Sequence, residues 1–120
     1  PGKTLQDKHY VGFFQDDALI AVMDLILDYP SPGTAMIGFF MVDISCQGRG
    51  TGTQIIAQAL EALAAQGMTK ARLAIDEGNP QSCAFWLENG FVLTGEKIPN
   101  DIAAYLPMER PLRHGENEPN

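Results

Sequence analysis

The stretch Val42-Asp-Ile-Ser-Cys-Gln-Gly-Arg-Gly-Thr-Gly-Thr53 decides how the rest of this 120-residue chain is read. Upstream of it, Thr34 to Val42 is apolar almost throughout, the pattern of a central strand covered on both faces. Downstream, Ile55, Ile56, Ala59, Leu60, Leu63 and Ala64 recur at helical spacing, and Gly67 stands where a C-terminal cap belongs. A strand therefore runs through Gly48, Gly50 and Gly52 into a helix beginning at Thr51 or Gly52. The first helical turn leaves N–H groups unpaired, and the helix dipole adds partial positive charge there. A row of such amides is an anion cradle suited to a diphosphate. Arg49 is placed to add a charge-assisted contact. A plain strand-to-helix turn needs one left-handed residue, not three glycines in five positions.

Working outward, Tyr10 to Gln15 and Ala18 to Asp28 read as strands joined by a tight turn at Asp16-Asp17. Gly38, inside the third strand, marks a bulge or kink. Lys70 to Asp76 alternates as a fourth strand. Asn79-Pro80 gives an N-cap and a first-turn proline for a second helix, with Cys83, Ala84 and Leu87 as its buried stripe and Gly90 as its end. Phe91 to Ile98 and Ala104 to Leu112 complete the strands. A helical crossover between the third and fourth strands makes that pair parallel within an otherwise antiparallel sheet. The expected class is α+β: a mixed sheet, mostly antiparallel with one parallel pair, and helices packed on it. Residues 1–112 form one domain, and 113–120 a polar tail.

Net charge is −7, with a pI near 4.6. Nucleic-acid surfaces need clustered Lys and Arg, so that partner class is excluded, whereas a cationic amine is compatible. No apolar run reaches membrane-spanning length and no secretory signal opens the chain, so the expected compartment is the cytoplasm. Cys46, Cys83, His9 and His114 lack metal-ligand spacing, and no metal is expected. The dinucleotide fingerprint fails because Thr53 stands where its third small residue belongs, and Gly2-Lys3-Thr4 lacks the rest of a P-loop.

Gln47-Gly-Arg-Gly-Thr-Gly52 resembles the Gln/Arg-x-x-Gly-x-Gly/Ala signature of the GNAT superfamily of acyl-CoA-dependent N-acyltransferases. Asn79, followed by the segment FWLENGF over residues 85–91, resembles that family's second conserved block. The two motifs stand in the family's order, and the resemblance covers residues 9–112. It implies a GNAT-like fold and transfer of an acetyl group from acetyl-CoA, as co-substrate, to a small-molecule or protein amine. Main-chain groups at Phe40, Met41 and Val42 would hold the pantetheine arm. Gln47, Gly48, Arg49, Gly50, Thr51, Gly52 and Thr53 would hold the pyrophosphate. Asn79 would contact the coenzyme, serve as a simple helix N-cap, or both.

The chain also departs from the family pattern. Many members carry a tyrosine seven residues after that asparagine, placed to protonate the departing thiolate. Here the position is Trp86, whose indole donates one hydrogen bond but is no practical acid. Trp86 either packs along the pantetheine arm or belongs to the core. No general base is evident. Asp24, Asp76, Glu77 and Tyr105 are candidates, with Tyr105 chosen because it opens the last strand on the acceptor side. Nothing before residue 9 reads as the family's opening strand and helices, so a homodimer or a cleaved fragment is expected. A catalytically silent acyl-CoA-binding or sensor module is the alternative function.

Overall fold

The computed structural model describes residues 8–112; Gly2-Lys3-Thr4, His114 and the 113–120 tail lie outside the described residues. Strands β1 (Lys8–Gln15) and β2 (Ala18–Leu27) form a hairpin turned by Asp16 and Asp17, both at positive φ (51° and 70°). That is the backbone a two-residue hairpin favours, because it matches the right-handed twist of the strands. β3 (Thr34–Val42) pairs antiparallel with β2 and leads through a 3₁₀ turn (Ile44–Cys46) into α1 (Thr51–Ala65). After β4 (Lys70–Asp76) and α2 (Pro80–Glu88) come β5 (Val92–Leu93), β6 (Ile98–Pro99) and β7 (Ala104–Pro111). The sheet order is β1-β2-β3-β4-β7-β5, with β6 beside β7.

The crossover through α1 makes β3 and β4 parallel, as its length demands, and every other pair is antiparallel. This is the mixed α+β sheet expected from the sequence. The parallel ladder is short: Thr34, Ala35 and Met36 face Lys70, Ala71 and Arg72, and no further residues pair. Beyond Met36 the two strands part, leaving a fork in the middle of the sheet.

Three local expectations need correction. The run Phe91–Ile98 is not one strand. Thr94 Oγ1 accepts the Glu96 N–H at 3.1 Å, Gly95 takes φ +92°, and the chain turns aside between two short strands. A side-chain turn has displaced the ladder, as Ser and Thr commonly allow. In α2 the stripe is also shifted. Ala84 and Leu87 are exposed, while Trp86 is buried and Cys83 and Phe85 pack beside it. Finally, toward its C-terminal end β3 is covered on one face only among the described residues. Its Ile37 and Phe40 join Met23, Leu25, Ile56, Leu60 and Trp86 in the core, whereas Phe39 and Met41 point to the opposite, open face. Apolar residues on both faces of β3 do not imply two covering layers.

The bulge in β3 falls at Gly38, opposite the slip between Asp24 and Leu25: Phe39 pairs with Asp24, and Ile37 with Leu25. A Cβ on Gly38 would lie 1.8 Å from Asp24 Oδ1, so only glycine admits that carboxylate.

Candidate functional site

The site begins where β3 ends. Asp43 caps the 3₁₀ turn, accepting from the Ser45 hydroxyl and from the Ser45 N–H at 3.0 Å. Those two bonds, the hydroxyl first, hold its carboxyl below the ordinary value of 3.8. Gln47 folds back, its Nε2 donating to the Val42 carbonyl at 2.9 Å, which ties the loop to the strand end. Gly48 and Gly50 then take φ +78° and +75°, in the left-handed region that side chains resist.

Gly50 is the N-cap of α1 and offers no side-chain acceptor. The first helical bond runs from the Gln54 N–H to the Gly50 carbonyl at 3.1 Å. The N–H groups of Thr51, Gly52 and Thr53 therefore have no partner within the helix. A cavity of about 430 Å³ opens over this turn. Gln47, Gly48, Gly50, Gly52 and Thr53 line one end, and Phe40, Val42, Phe85 and Glu88 form its walls.

Its walls are held by aromatic packing. The Phe40 and Phe85 rings stack at 6.2 Å, and Trp86 meets Phe85 edge-on at 5.0 Å and Phe91 at 5.1 Å. Trp86 is 7% exposed and backs the wall from within the core, so Phe85, its neighbour in sequence, is the ring that faces the cavity. The Asn89 side chain braces the two helices. Its Nδ2 donates to the Phe85 carbonyl at 2.8 Å and to Thr53 Oγ1 at 3.4 Å.

The fold brings together Phe40, Val42, Gln47, Gly48, Gly50, Gly52 and Thr53 from the residues singled out in the sequence. Met41, 63% exposed, points to the other face of the sheet. Arg49 and Thr51 belong to the loop and first turn but do not line the cavity. Asn79 Oδ1 accepts the Ser82 N–H at 3.0 Å, a helix N-cap, and also stands outside the lining. Tyr105, 44% exposed, lies opposite Asp76 and Ile98 on the sheet, away from the cavity. Glu77 is ion-paired with Lys97 at 2.6 Å. Among the described residues no group of three or more His, Cys, Asp or Glu could hold a metal ion. Glu88 stands inside FWLENGF but was not singled out from the sequence. Phe85 and Asn89 were visible within FWLENGF as motif members, without their separate tasks.

Chemically, the site is a set of unpaired amides at a helix N-terminus, continuous with a slot walled by aliphatic and aromatic groups. That combination fits a ligand with a phosphate-bearing end and a long, weakly polar arm.

Residues 3–91 match the family described as "Acetyltransferase (GNAT) family". A mycothiol acetyltransferase from Beutenbergia cavernae is 32% identical over 93 residues, which are 75% of this chain and 31% of that protein. The matched part of the chain thus spans about a third of that relative's length. Among solved structures, an IAA acetyltransferase from Bacillus cereus superposes with a TM-score of 0.73 at 20% identity, covering 89% of this chain and 79% of that one. The PaiA N-acetyltransferase of Thermoplasma acidophilum, solved in complex with coenzyme A, gives a TM-score of 0.69 at 21% identity, covering 88% and 61%. A spermidine N-acetyltransferase from Vibrio cholerae gives 0.75 at 18% identity, covering 89% and 67%. At these identities the structural likeness is one of fold.

Proposed function

The chain belongs to the acetyltransferase (GNAT) family, and from that premise we propose that it moves an acetyl group from acetyl-CoA to a primary amine by direct attack in a ternary complex. The observation that carries this reading is the continuity between the amide cradle at Gly48–Thr53 and the slot walled by Phe40, Val42 and Phe85. The diphosphate sits on the amides and the pantetheine arm runs back along β3, with Phe40, Met41 and Val42 offering main-chain partners. Arg49 contributes charge at the loop. Relatives support the ligand and acceptor classes: one neighbour was solved with coenzyme A, and another is named for acetylating spermidine. The thioester is already activated, so orientation and stabilisation of the oxyanion supply much of the rate without a metal.

In this reading residues 1–112 act as one domain, working in the cytoplasm, with 113–120 as a tail. No helix among the described residues is long and apolar enough to cross a membrane. Exposed Tyr10, Phe14 and Leu19 along the β1–β2 hairpin support association into a homodimer, and a monomeric mass in solution would count against that. Tyr105 carries an exposed phenol at the start of β7; Tyr105→Phe tests its part in proton transfer, with a fall in kcat at constant KM as the supporting result.

Thermal-shift titration with acetyl-CoA, CoA and NAD tests the coenzyme assignment. A ligand at about 100 times its Kd adds roughly 2.7 kcal/mol of stability. Stabilisation by both CoA forms and none by NAD is expected; no response to either CoA form overturns the reading. One observation favours a second reading, a catalytically silent acyl-CoA-binding module: Trp86, where many relatives have a proton-donating tyrosine, is buried in the core. Coenzyme binding without acetyl transfer to any of a panel of amines would select it.

A further inference from the structure

The bulge in β3 holds a carboxylate that the coenzyme assignment does not use. Asp24 is 4% exposed, and its side chain is pressed into the space left by the missing Cβ of Gly38. Oδ1 accepts the Phe39 N–H at 3.1 Å. Oδ2 faces the Lys8 ammonium at 3.7 Å, and the Lys8 side chain is 32% exposed. The other strand residues flanking Asp24 are Tyr10 on β1 and Phe39 on β3, its register partners, so Lys8 is the ion-pair partner found among the described residues. A carboxylate this far out of water needs a partner cation or several hydrogen bonds.

The position of this pair matters as much as its charge. Phe40, two residues beyond the bulge, lines the cavity on the helical side of the sheet, while Asp24, Phe39 and Lys8 belong to the open side. The β3–β4 ladder stops at Met36 and Arg72, so the fork that joins the two sides opens beside Gly38. The cavity runs from the Gly48–Thr53 cradle past Val42 to Phe40, so a coenzyme arm laid along it would point toward this fork.

Resting on the acetyl-CoA reading above, we propose that Asp24 is the seat for the acceptor's ammonium group, and that Lys8 is a tethered ammonium occupying that seat in the free protein. A cationic alkylamine displaces Lys8 and pairs with Asp24 across the fork from the thioester. The ammonium gives one proton to the Asp24 carboxylate, and the neutral nitrogen attacks the thioester carbon. A C–N bond forms and the C–S bond breaks. The departing thiolate takes the second nitrogen proton, and Asp24 returns its proton to solvent. Lys8 is thereby a competitor built into the chain, raising the KM for every cationic acceptor.

Butylamine is the probe, because it carries the four-carbon ammonium chain of lysine, which Lys8→Ala cuts back to a methyl group. Acetylation of butylamine by acetyl-CoA is measured in the unaltered chain, Lys8→Ala, Lys8→Arg and Lys8→Ala/Asp24→Asn, each with its acetyl-CoA thermal shift. The expected result is a KM for butylamine at least about tenfold lower in Lys8→Ala, a change of about 1.4 kcal/mol in apparent affinity. Lys8→Arg keeps the high KM, the double variant loses the gain, and the acetyl-CoA shift is the same throughout. If acetyl-CoA shifts none of the proteins, the coenzyme reading itself fails. If it shifts them all but Lys8→Ala leaves KM unchanged, or no variant acetylates butylamine, the proposal is overturned and Asp24 merely fills the bulge. Survival of the gain in Lys8→Ala/Asp24→Asn overturns it equally. Should Asp24→Asn not fold, the contrast between Lys8→Ala and Lys8→Arg still decides.

Discussion

Asn89 at the end of α2 reaches Thr53 in the first turn of α1, its Nδ2 lying 3.4 Å from the Thr53 hydroxyl oxygen while also donating to the Phe85 carbonyl at 2.8 Å. One buried amide thereby fixes the distance between the two helices that flank the cavity. The main-chain carbonyl of Asn89 accepts from Arg110 Nη1 at 2.9 Å, which ties the same point to β7. Replacing Asn89 with Ala removes the donor to the Thr53 hydroxyl and one of two bonds to the Phe85 carbonyl, which still accepts the residue 89 main-chain N–H at 3.2 Å. A loss of about 0.5–1.5 kcal/mol in urea unfolding is expected. Acetyl-CoA binding, followed by calorimetry, weakens as well, because the cradle is no longer held to the wall. Thr53→Val removes only the longer bond and has the smaller effect on stability.

Gly50 separates backbone conformation from steric contact. Its φ is +75°, and an added Cβ would meet nothing within 4 Å. Gly50→Val therefore strains the backbone without its Cβ meeting a neighbour, costing about 1–2 kcal/mol if the left-handed conformation persists. If the loop relaxes instead, the Gly48–Thr53 amides no longer converge and CoA affinity falls. Gly50→Asn is the milder change, since Asn visits the left-handed region several-fold more readily. The order of CoA affinities measured by calorimetry should be Gly, then Asn, then Val.

Gly38 and Asp24 must respond together. In Gly38→Ala the new methyl group collides with the Asp24 carboxylate, and overpacking of this kind costs roughly 1–3 kcal/mol or more. Shortening the facing side chain in Asp24→Ala makes room for it. The double variant Gly38→Ala/Asp24→Ala should be more stable than the sum of the single losses predicts, with a coupling of about 0.5–3 kcal/mol in a double-mutant cycle. Strict additivity would mean that the two side chains do not share the bulge.

Glu96 carries a pH signature at the turn that interrupts the fifth strand. Hydrogen bonds from the Thr94 hydroxyl (2.9 Å) and then Arg72 (3.1 Å) hold its carboxyl below the ordinary value of 4.5. A carboxyl depressed in the folded state stabilises the fold above the unfolded pKa, and that contribution is lost as pH falls through the folded value. The turn should therefore keep its stabilisation at neutral pH and lose it in acid below 4.5. Carboxyl NMR of Thr94→Ala should show the Glu96 titration moving upward toward the ordinary value. An unchanged midpoint would separate the hydroxyl from the shift.

Much of this was legible in the residues because it depends on local rules. The alternating Lys70–Asp76 strand, the α1 stripe from Ile55 to Ala64, the bulge at Gly38 and the turn at Asp16-Asp17 each follow from side-chain period or backbone freedom within a few residues. The glycine-rich loop belongs with them, since three glycines between an apolar strand and an amphipathic helix expose amides wherever that unit is placed. The helical crossover also required β3 and β4 to be parallel.

What sequence could not supply was which side chains meet across elements. Phe85 rather than Trp86 faces the cavity because α2 is rotated by its packing on Phe40 and Phe91, a relation between residues far apart in the chain. Phe91–Ile98 broke into two pieces because Arg72, on another strand, offers Glu96 a partner that helps hold the turn. Asp24 looked like any strand aspartate until the register slip placed it against Gly38 and beside Lys8. By itself the sequence determined most of the elements, their order and the glycine-rich loop that opens α1, since period, turn chemistry and glycine act locally. Tertiary structure alone decided the cavity walls, the open face of β3 and the buried ion pair, because those depend on register and on packing between distant segments.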